Sequence, residues 1–184
     1  IAVSRSAETT ETLRAVESFQ ARKQGAVLTL SCYGDRALAS MGTMNVVLPS
    51  GQEQSIAQTR AFTVLYLGVT ALAALWSGHD DLLEALKQLP DAGQRLFDRF
   101  SALAQRHGED ASLERFYFLG SGMRYGLAAE LSLKMKEMSL SHSEPFHVLE
   151  FRHGPMSMVT PDTLVVAQLS DAQAAEERAV IDDM

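Results

Sequence analysis

The chain has 184 residues, of which 46% are hydrophobic, and a formal net charge of −7 at pH 7. This length favours one domain or parts of two with a sizeable buried core, and no long biased tract indicates disorder. No cluster of Lys or Arg stands out, which argues against nucleic-acid binding, although an anionic small molecule can still bind at the backbone amides of a helix N-terminus.

The first part of the chain alternates strand and helix patterns. Residues 1–3 resemble a strand end, a polar loop covers residues 4–9, and an amphipathic helix is predicted over residues 10–23. Strands are predicted at residues 26–31 and 45–48. Cys32, the only cysteine, follows an apolar run, so we expect a buried thiol and a reducing, cytoplasmic compartment.

The longest apolar tract, residues 61–76, carries no charged residue. It falls short of the roughly 20 residues that span a bilayer. We therefore expect a buried core or interface helix, starting near residue 56, rather than a membrane segment. The N-terminus also lacks the basic, apolar and small-residue order of a signal peptide.

The second part of the chain begins with two predicted helices, residues 80–89 and 91–107, separated by Pro90. A strand at residues 115–119, a tight turn at Gly120-Ser121-Gly122 and a helix at residues 123–140 follow. The turn lacks the third glycine of a dinucleotide fingerprint, so close strand–helix packing is the preferred interpretation. An irregular segment to Pro155, a strand at residues 163–169 and a helix beginning after Ser170 complete a mainly parallel α/β pattern.

A weak internal repeat indicates two copies of one unit. IAVSRSAETTETLRAV, from Ile1, aligns without gaps with VVAQLSDAQAAEERAV, from Val165, so that Ser6 matches Ser170. We expect a fragment of a longer protein, with the C-terminal portion of a first domain at residues 1–78, a helical connector at 79–110 and the N-terminal portion of a second domain at 111–184. A complete but unusual fold is the alternative.

The loop Ser4-Arg5-Ser6-Ala7-Glu8-Thr9 joins a strand end to a helix start. Its hydroxyls and free backbone N–H groups can hold a phosphate, helped by the helix dipole, and ligands of open parallel sheets bind at such strand ends. An ordinary helix cap formed by Ser6 or Thr9 is the alternative.

Glu130, Lys134 and Glu137 share one face of a predicted helix because of their i, i+4, i+7 spacing. They could form salt bridges on a solvated face. The rest of this helix is largely apolar, so we expect partly buried carboxylates with raised pKa values, as suits a general base.

Three histidines, His142, His147 and His153, follow this helix. Their spacings match no specific metal-binding pattern, and we expect no metal ion. An imidazole beside a carboxylate and an ammonium can instead move protons next to a carbonyl group.

The segments SRSAETTET, EQSIAQTRAFT, LAAELSLKMKE, SHSEPF and LEFRHGP resemble the sugar isomerase (SIS) domains. The resemblance covers nearly the whole chain and is most specific from residue 130 to 155. It is closest to the isomerase half of glucosamine-6-phosphate synthase and to SIS-type glucosamine-6-phosphate deaminases. It implies a flavodoxin-like three-layer α/β/α sandwich with a five-stranded parallel sheet, tandem copies (incomplete here) and a homodimer.

The resemblance also implies roles for individual residues. By motif, the sugar phosphate is held by Ser4, Ser6, Thr9 and the backbone of Arg5, and the sugar is contacted by the backbone of Ile56.

In the LKMKE motif, Glu137 is the implied base between C1 and C2, Lys134 orients a substrate hydroxyl, and Glu130 orients Lys134. His153 of the HGP turn assists ring opening, in the family often from the neighbouring subunit. No cofactor is implied.

Three departures from the family pattern affect the interpretation. The family loop usually reads Ser-Gln-Ser-Gly-Glu-Thr, whereas this chain has Arg5 and Ala7. Arg5 could add charge at the phosphate site or point to solvent, and Ala7 puts the loop path in question. The synthase's C-terminal lysine and glutaminase domain are not present in the sequence, which truncation would explain.

The sequence therefore predicts a phosphosugar aldose–ketose isomerase that acts on an amino-sugar phosphate, as a glucosamine-6-phosphate deaminase. The first alternative is the isomerase domain of the glutamine-dependent synthase. A non-catalytic phosphosugar sensor is the second, and the presence of Glu137 and His153 favours an enzyme over it.

Overall fold

Parallel strands flanked by helices build the structure, a computed structural model that describes residues 1–184. The strands are β1 (Ala2–Ser4), β2 (Leu28–Ser31), β3 (Met44–Val47), β4 (Arg115–Gly120), β5 (His142–Phe146) and β6 (Thr163–Gln168). The helices are α1 (Thr10–Ala21), α2 (Arg60–Ser77), α3 (Asp80–Leu86), α4 (Leu89–Gly108), α5 (Met123–Ser139), α6 (Val148–Phe151) and α7 (Ala174–Asp182). The predicted α/β class with parallel sheets is confirmed.

The chain forms two compact units, Ile1–Leu96 and Phe97–Met184. The division falls within the segment predicted as a connector, and the domain boundaries at residues 78 and 110 stay a prediction. Each unit contains three parallel strands, fewer than the five expected for a complete domain.

In the first unit, β2 is the central strand of the order β1-β2-β3. All four of its residues are buried, as expected for a parallel strand that is covered on both faces. Leu28, Leu30 and Cys32 pack against Ala61 and Leu65 of α2. The predicted burial of Cys32 is thus confirmed, and this burial raises the pKa of its thiol despite the nearby charge of Arg5.

In the second unit, β4 lies between β5 and β6. Its residues from Phe116 to Gly120 are buried, with alternate side chains facing two apolar clusters. The turn after β4 is closely packed, as predicted: a Cβ atom at Gly120 would lie 2.4 Å from Arg124 O, and Gly122 has φ +56°. Only glycine fits the first of these positions without displacing the backbone.

Three elements differ from the sequence expectation. β5 and α6 lie where an irregular segment was predicted, because the sequence HSEPF of β5 lacks apolar alternation and contains Pro145. Since β5 pairs only with β4, its proline occupies an edge strand, where a missing N–H is tolerated. Pro90 does not lie between α3 and α4 as predicted. It is the second residue of α4, where its missing N–H costs no helical hydrogen bond.

The internal repeat has the same secondary structure in both copies. β1 ends at Ser4 and β6 at Gln168, the residues that the gapless alignment pairs, and five loop residues separate each strand from its helix. The helices begin at Thr10 and Ala174, which are also paired. The repeat therefore describes two equivalent strand–loop–helix units.

Helix α2 is mostly not buried, contrary to the expectation of a core helix. Only Ala61, Leu65 and Ala74 are buried, since a narrow stripe of the helix faces β2. By length and composition α2 is also the one helix that could cross a membrane, a criterion that core helices of soluble proteins also meet. The alternative expectation, an interface helix, stays a prediction.

Candidate active site

The loop from Ser4 to Thr9, called the serine loop below, follows β1 and precedes α1. Ser4 is buried, and its Oγ lies 2.8 Å from Thr9 Oγ1, so the two hydroxyls close the base of the loop. Ser6 Oγ accepts a hydrogen bond from Glu8 N at 3.2 Å. No side chain caps α1, although Thr9 occupies the N-cap position. The first-turn N–H groups of α1 thus have no side-chain acceptor, as the anion-binding interpretation requires, and that interpretation stays a prediction.

Ala7 stands in the serine loop at a position where glycine is usual in the resembling family. It adopts a left-handed conformation, φ +56°, and is fully buried among Val16, Val27 and Leu38. Its carbonyl oxygen accepts a hydrogen bond from Leu38 N at 2.9 Å. The alanine methyl group therefore fills the core beneath the loop, at the cost of a strained backbone.

Arg5 does not point freely into solvent, which was one of the two expectations for it. Its Nη1 donates a hydrogen bond to Ser55 O at 2.7 Å, within the first unit. Ser55 directly precedes Ile56, the predicted sugar-contacting residue, whose side chain is 92% exposed. The structure therefore brings the serine loop and the predicted sugar-binding segment together through one arginine side chain.

Glu53 was missed by the sequence reasoning and organises this segment. Its Oε1 accepts a hydrogen bond from Ala61 N at 2.9 Å, and its Oε2 accepts hydrogen bonds from Thr59 N and Arg60 N at 3.4 Å. Glu53 therefore caps the N-terminus of α2, although it lies six residues before Thr59 in the sequence. Partial burial opposes its charge, but these N–H groups and the Arg5 charge hold its pKa below the usual value. A glutamate this far from a helix start has no standard capping pattern, so the sequence carried little signal.

In the second unit, Glu130, Lys134 and Glu137 come together on α5 as predicted. Lys134 Nζ lies 3.5 Å from Glu130 Oε1 and is hydrogen-bonded to Glu137 Oε2. Burial opposes the charge of Lys134, yet the two carboxylates outweigh it and raise the pKa of the ammonium group. The side chains of Glu130 and Lys134 are 18% and 16% exposed, against 36% for Glu137. Glu137 is thus the carboxylate that a ligand can reach most readily.

The histidines occupy three different environments. His153 lies exposed on the turn after α6, where its N–H donates to Glu150 O at 2.9 Å. His142 pairs with Glu144 on β5, with 3.2 Å between Nε2 and Oε1. His147 stacks on Tyr125, with ring centroids 4.1 Å apart. Of these three histidines, His153 is the one whose side chain forms neither an ion pair nor a ring contact.

Glu177 is a second carboxylate that the sequence reasoning missed. It is fully buried at the carboxyl ends of β4 and β6 and accepts hydrogen bonds from Ser170 N and from Ser170 Oγ, the latter at 3.1 Å. Burial opposes its charge, but the hydroxyl of Ser121, the two groups of Ser170 and the charge of Arg124 hold its pKa below the usual value. Glu177 thereby joins the loop after β6 to the turn that begins α5.

Comparison with known proteins finds a family that resembles part of the second unit. Residues 111–177 match the family model of the SIS domain. This segment includes β4, α5, the turn with His153 and Glu177.

Curated relatives extend the similarity to the rest of the chain. The glutamine–fructose-6-phosphate aminotransferase (isomerizing) of Shewanella oneidensis is 27% identical over 96% of this chain and 30% of its own length. The enzyme of the same name from Xylella fastidiosa strain Temecula1 is 32% identical over 90% of this chain and 29% of its own length. The chain thus spans about a third of these relatives.

Solved structures share the fold. A glucosamine-6-phosphate deaminase from Thermotoga maritima superposes with a TM-score of 0.85 at 27% identity, over 99% of this chain and 56% of that one. The tagatose-6-phosphate ketose/aldose isomerase of Escherichia coli gives a TM-score of 0.85 at 20% identity, over 99% of this chain and 51% of that one, a likeness of fold alone. These superpositions confirm the SIS fold of the chain.

Proposed function

We propose that the chain, whose residues 111–177 match the SIS domain, is the isomerase part of an enzyme acting on an amino-sugar phosphate, as a glucosamine-6-phosphate deaminase. The observation that carries this proposal is the ion-paired arrangement on α5, in which Lys134 lies between Glu130 and Glu137. An aldose–ketose isomerase needs a carboxylate that can accept a proton. It also needs a neighbouring group, here an ammonium, that can orient a substrate hydroxyl.

Substrate binding is assigned to the serine loop. Ser4, Ser6, Thr9 and the N–H groups at the start of α1 would hold the phosphate, whose binding energy is remote from the reacting carbons. Fixing the phosphate limits the positions that C1 and C2 can take, which lowers the entropy cost of the reaction.

The proposed reaction is a proton transfer followed by hydrolysis. Glu137 removes the C2 proton of the open-chain 2-amino aldose, and the electron pair of that bond forms the C1=C2 double bond of an enolamine while the C1 oxygen is protonated. Return of the proton to C1 gives an iminium ion, whose nitrogen releases a proton that balances the one taken up by the C1 oxygen, and water hydrolyses the resulting ketose imine to fructose 6-phosphate and ammonia. Lys134 orients a substrate hydroxyl, Glu130 holds Lys134, and His153 assists ring opening.

The second candidate is the isomerase half of a glutamine-dependent synthase, which runs in the opposite direction with ammonia from glutamine. The names of the curated relatives support it, whereas the deaminase structure supports the first candidate. In both cases the proposal includes a cytoplasmic homodimer in which His153 serves the neighbouring subunit.

Ammonia release from glucosamine 6-phosphate by the full-length protein tests the choice. A deaminase forms ammonia and fructose 6-phosphate in equal amounts. A synthase instead forms glucosamine 6-phosphate from fructose 6-phosphate and glutamine, and borohydride traps its Schiff base. If the protein binds the phosphosugar but converts it in neither direction, the enzyme proposal is refuted and the non-catalytic sensor is the remaining interpretation.

A further inference from the structure

Arg5 is held at both ends within the first unit. Its carbonyl oxygen accepts a hydrogen bond from Cys32 N at 3.1 Å, which fixes its main chain to the end of β2. Its Nη1 donates to Ser55 O at 2.7 Å, fifty residues along the chain. The side chain therefore connects the serine loop to the segment before α2.

The segment that Arg5 reaches has few other links to the serine loop. Gln52 Nε2 donates to Cys32 O at 2.8 Å, and Glu53 binds the start of α2, so both residues fix the beginning of the segment. Ile56 itself is 92% exposed. Beside Ile56, Ser55 Oγ donates a local hydrogen bond to Ala57 O at 2.9 Å, and the Arg5–Ser55 hydrogen bond connects this turn to the serine loop.

One donor of the Arg5 guanidinium has no partner. The Nε atom is buried, and no protein acceptor lies within hydrogen-bonding distance. A buried donor without an acceptor is unfavourable, so in native proteins such a group is usually satisfied by an acceptor from outside the chain, such as water or an anion. An oxyanion is the acceptor that suits a guanidinium best, because the planar group offers several N–H donors in a fixed geometry.

We propose that Arg5 is a positioning residue that couples anion binding on the serine loop to the order of the Ser55–Ile56–Ala57 backbone. This inference rests on the proposed function, since it takes the serine loop as the phosphate site. An anion on the loop adds a charged partner to the guanidinium besides the nearby Glu53 carboxylate, which tightens its hold on Ser55. The backbone of Ile56 is then fixed where the sugar binds.

Calorimetric titration with inorganic phosphate and amide hydrogen exchange of residues 53–59 test the coupling in the full-length protein. In the unsubstituted protein, phosphate binds and slows exchange in this segment. In Arg5→Gln, phosphate binding weakens about tenfold and no longer slows exchange. Arg5→Lys keeps the charge but not the planar fork, so it retains more affinity than Arg5→Gln and still loses the coupling. Arg14→Gln, which removes an exposed arginine of α1, behaves as the unsubstituted protein.

Two results would overturn the proposal. One is phosphate-dependent protection of residues 53–59 that persists in both Arg5 variants, and the other is a lack of such protection in the unsubstituted protein. Neither phosphate binding nor amide exchange depends on turnover. If the enzyme proposal fails, phosphate binds but no sugar is converted, so that failure is distinguished from failure of the coupling. With an active enzyme, Arg5→Gln raises KM for the phosphosugar more than it lowers kcat, whereas general loss of structure lowers kcat as well.

Discussion

Lys134 Nζ lies 3.5 Å from Glu130 Oε1, one helical turn away on α5, while the same ammonium group binds Glu137. The pair of Glu130 and Lys134 is more sheltered than Glu137, whose side chain is 36% exposed. This difference separates two carboxylates that look equivalent in the sequence. Glu130 anchors the lysine, and Glu137 is open to a substrate.

Replacing the anchor should change the pH dependence of catalysis. Glu130 is one of the groups that raise the pKa of Lys134, against the opposing effect of burial, so Glu130→Gln should lower that pKa. We expect the alkaline limb of the pH–rate profile to move to lower pH, because the lysine then loses its proton sooner. An alkaline limb at its original pH would show that Glu130 does not hold the charge of Lys134.

Removing one hydroxyl from the serine loop should weaken phosphosugar binding. Ser6→Ala deletes one donor to a charged group, together with the acceptor of Glu8 N within the loop, so we expect a loss of about 1–3 kcal/mol in binding free energy by calorimetry. Ser40→Ala, which removes an exposed hydroxyl bonded to Ala37 O, is the control and should bind normally. Equal affinities for the two variants would exclude Ser6 from the site.

Glu177 should make stability depend on pH. Its folded-state pKa is lowered, so its charge stabilises the fold above the unfolded-state pKa of about 4.3, and this contribution is lost as the pH falls through the lower folded-state value. Glu177→Gln should reduce the free energy of unfolding at pH 7 by about 1–3 kcal/mol, and the difference should shrink in acid.

Urea denaturation measures these free energies of unfolding. The control is Glu176→Gln, which replaces the exposed residue next to Glu177. Its free energy of unfolding should match that of the unsubstituted protein at both pH values. Similar effects of the two substitutions at pH 7 would show that the buried hydrogen bonds of Glu177 contribute nothing specific.

Ala7 offers a test of the strained loop. Ala7→Gly removes about 1 kcal/mol of backbone strain at this left-handed position. It also removes a buried methyl group that contributes about 0.8 kcal/mol, and it raises the conformational entropy of the unfolded chain. Because these effects oppose each other, the net change in unfolding free energy should be small. Ala7→Val should destabilise by more than about 2 kcal/mol, because it adds a β-branched group at positive φ in a filled core. Comparable urea midpoints for Ala7→Val and the unsubstituted protein would contradict the observed backbone conformation.

Much of the fold was predictable because it depends on local patterns. The apolar runs at β2, β4 and β6 and the periodic pattern of α1 identified these elements to within a few residues. β5 was missed because an edge strand buries little, so its side chains need not be apolar.

The candidate site was predictable only in part. Glu130, Lys134 and Glu137 share a helix face, and helical spacing is sufficient to place them together. The Arg5–Ser55 contact and the buried Glu177 depend on how distant segments pack, which no local pattern encodes. Ser170 and Glu177 both lie in the segment of the repeat alignment, but the alignment gives no sign that they contact each other.

Solvent deuterium exchange measures the proposed proton transfer by Glu137 directly. In deuterated water the full-length protein should introduce deuterium at C1 of fructose 6-phosphate or at C2 of glucosamine 6-phosphate, as read by NMR. Glu137→Gln should slow this exchange by about 10²- to 10⁴-fold while phosphosugar binding persists, and Glu176→Gln should leave it unchanged. Exchange at the original rate in Glu137→Gln would refute Glu137 as the base.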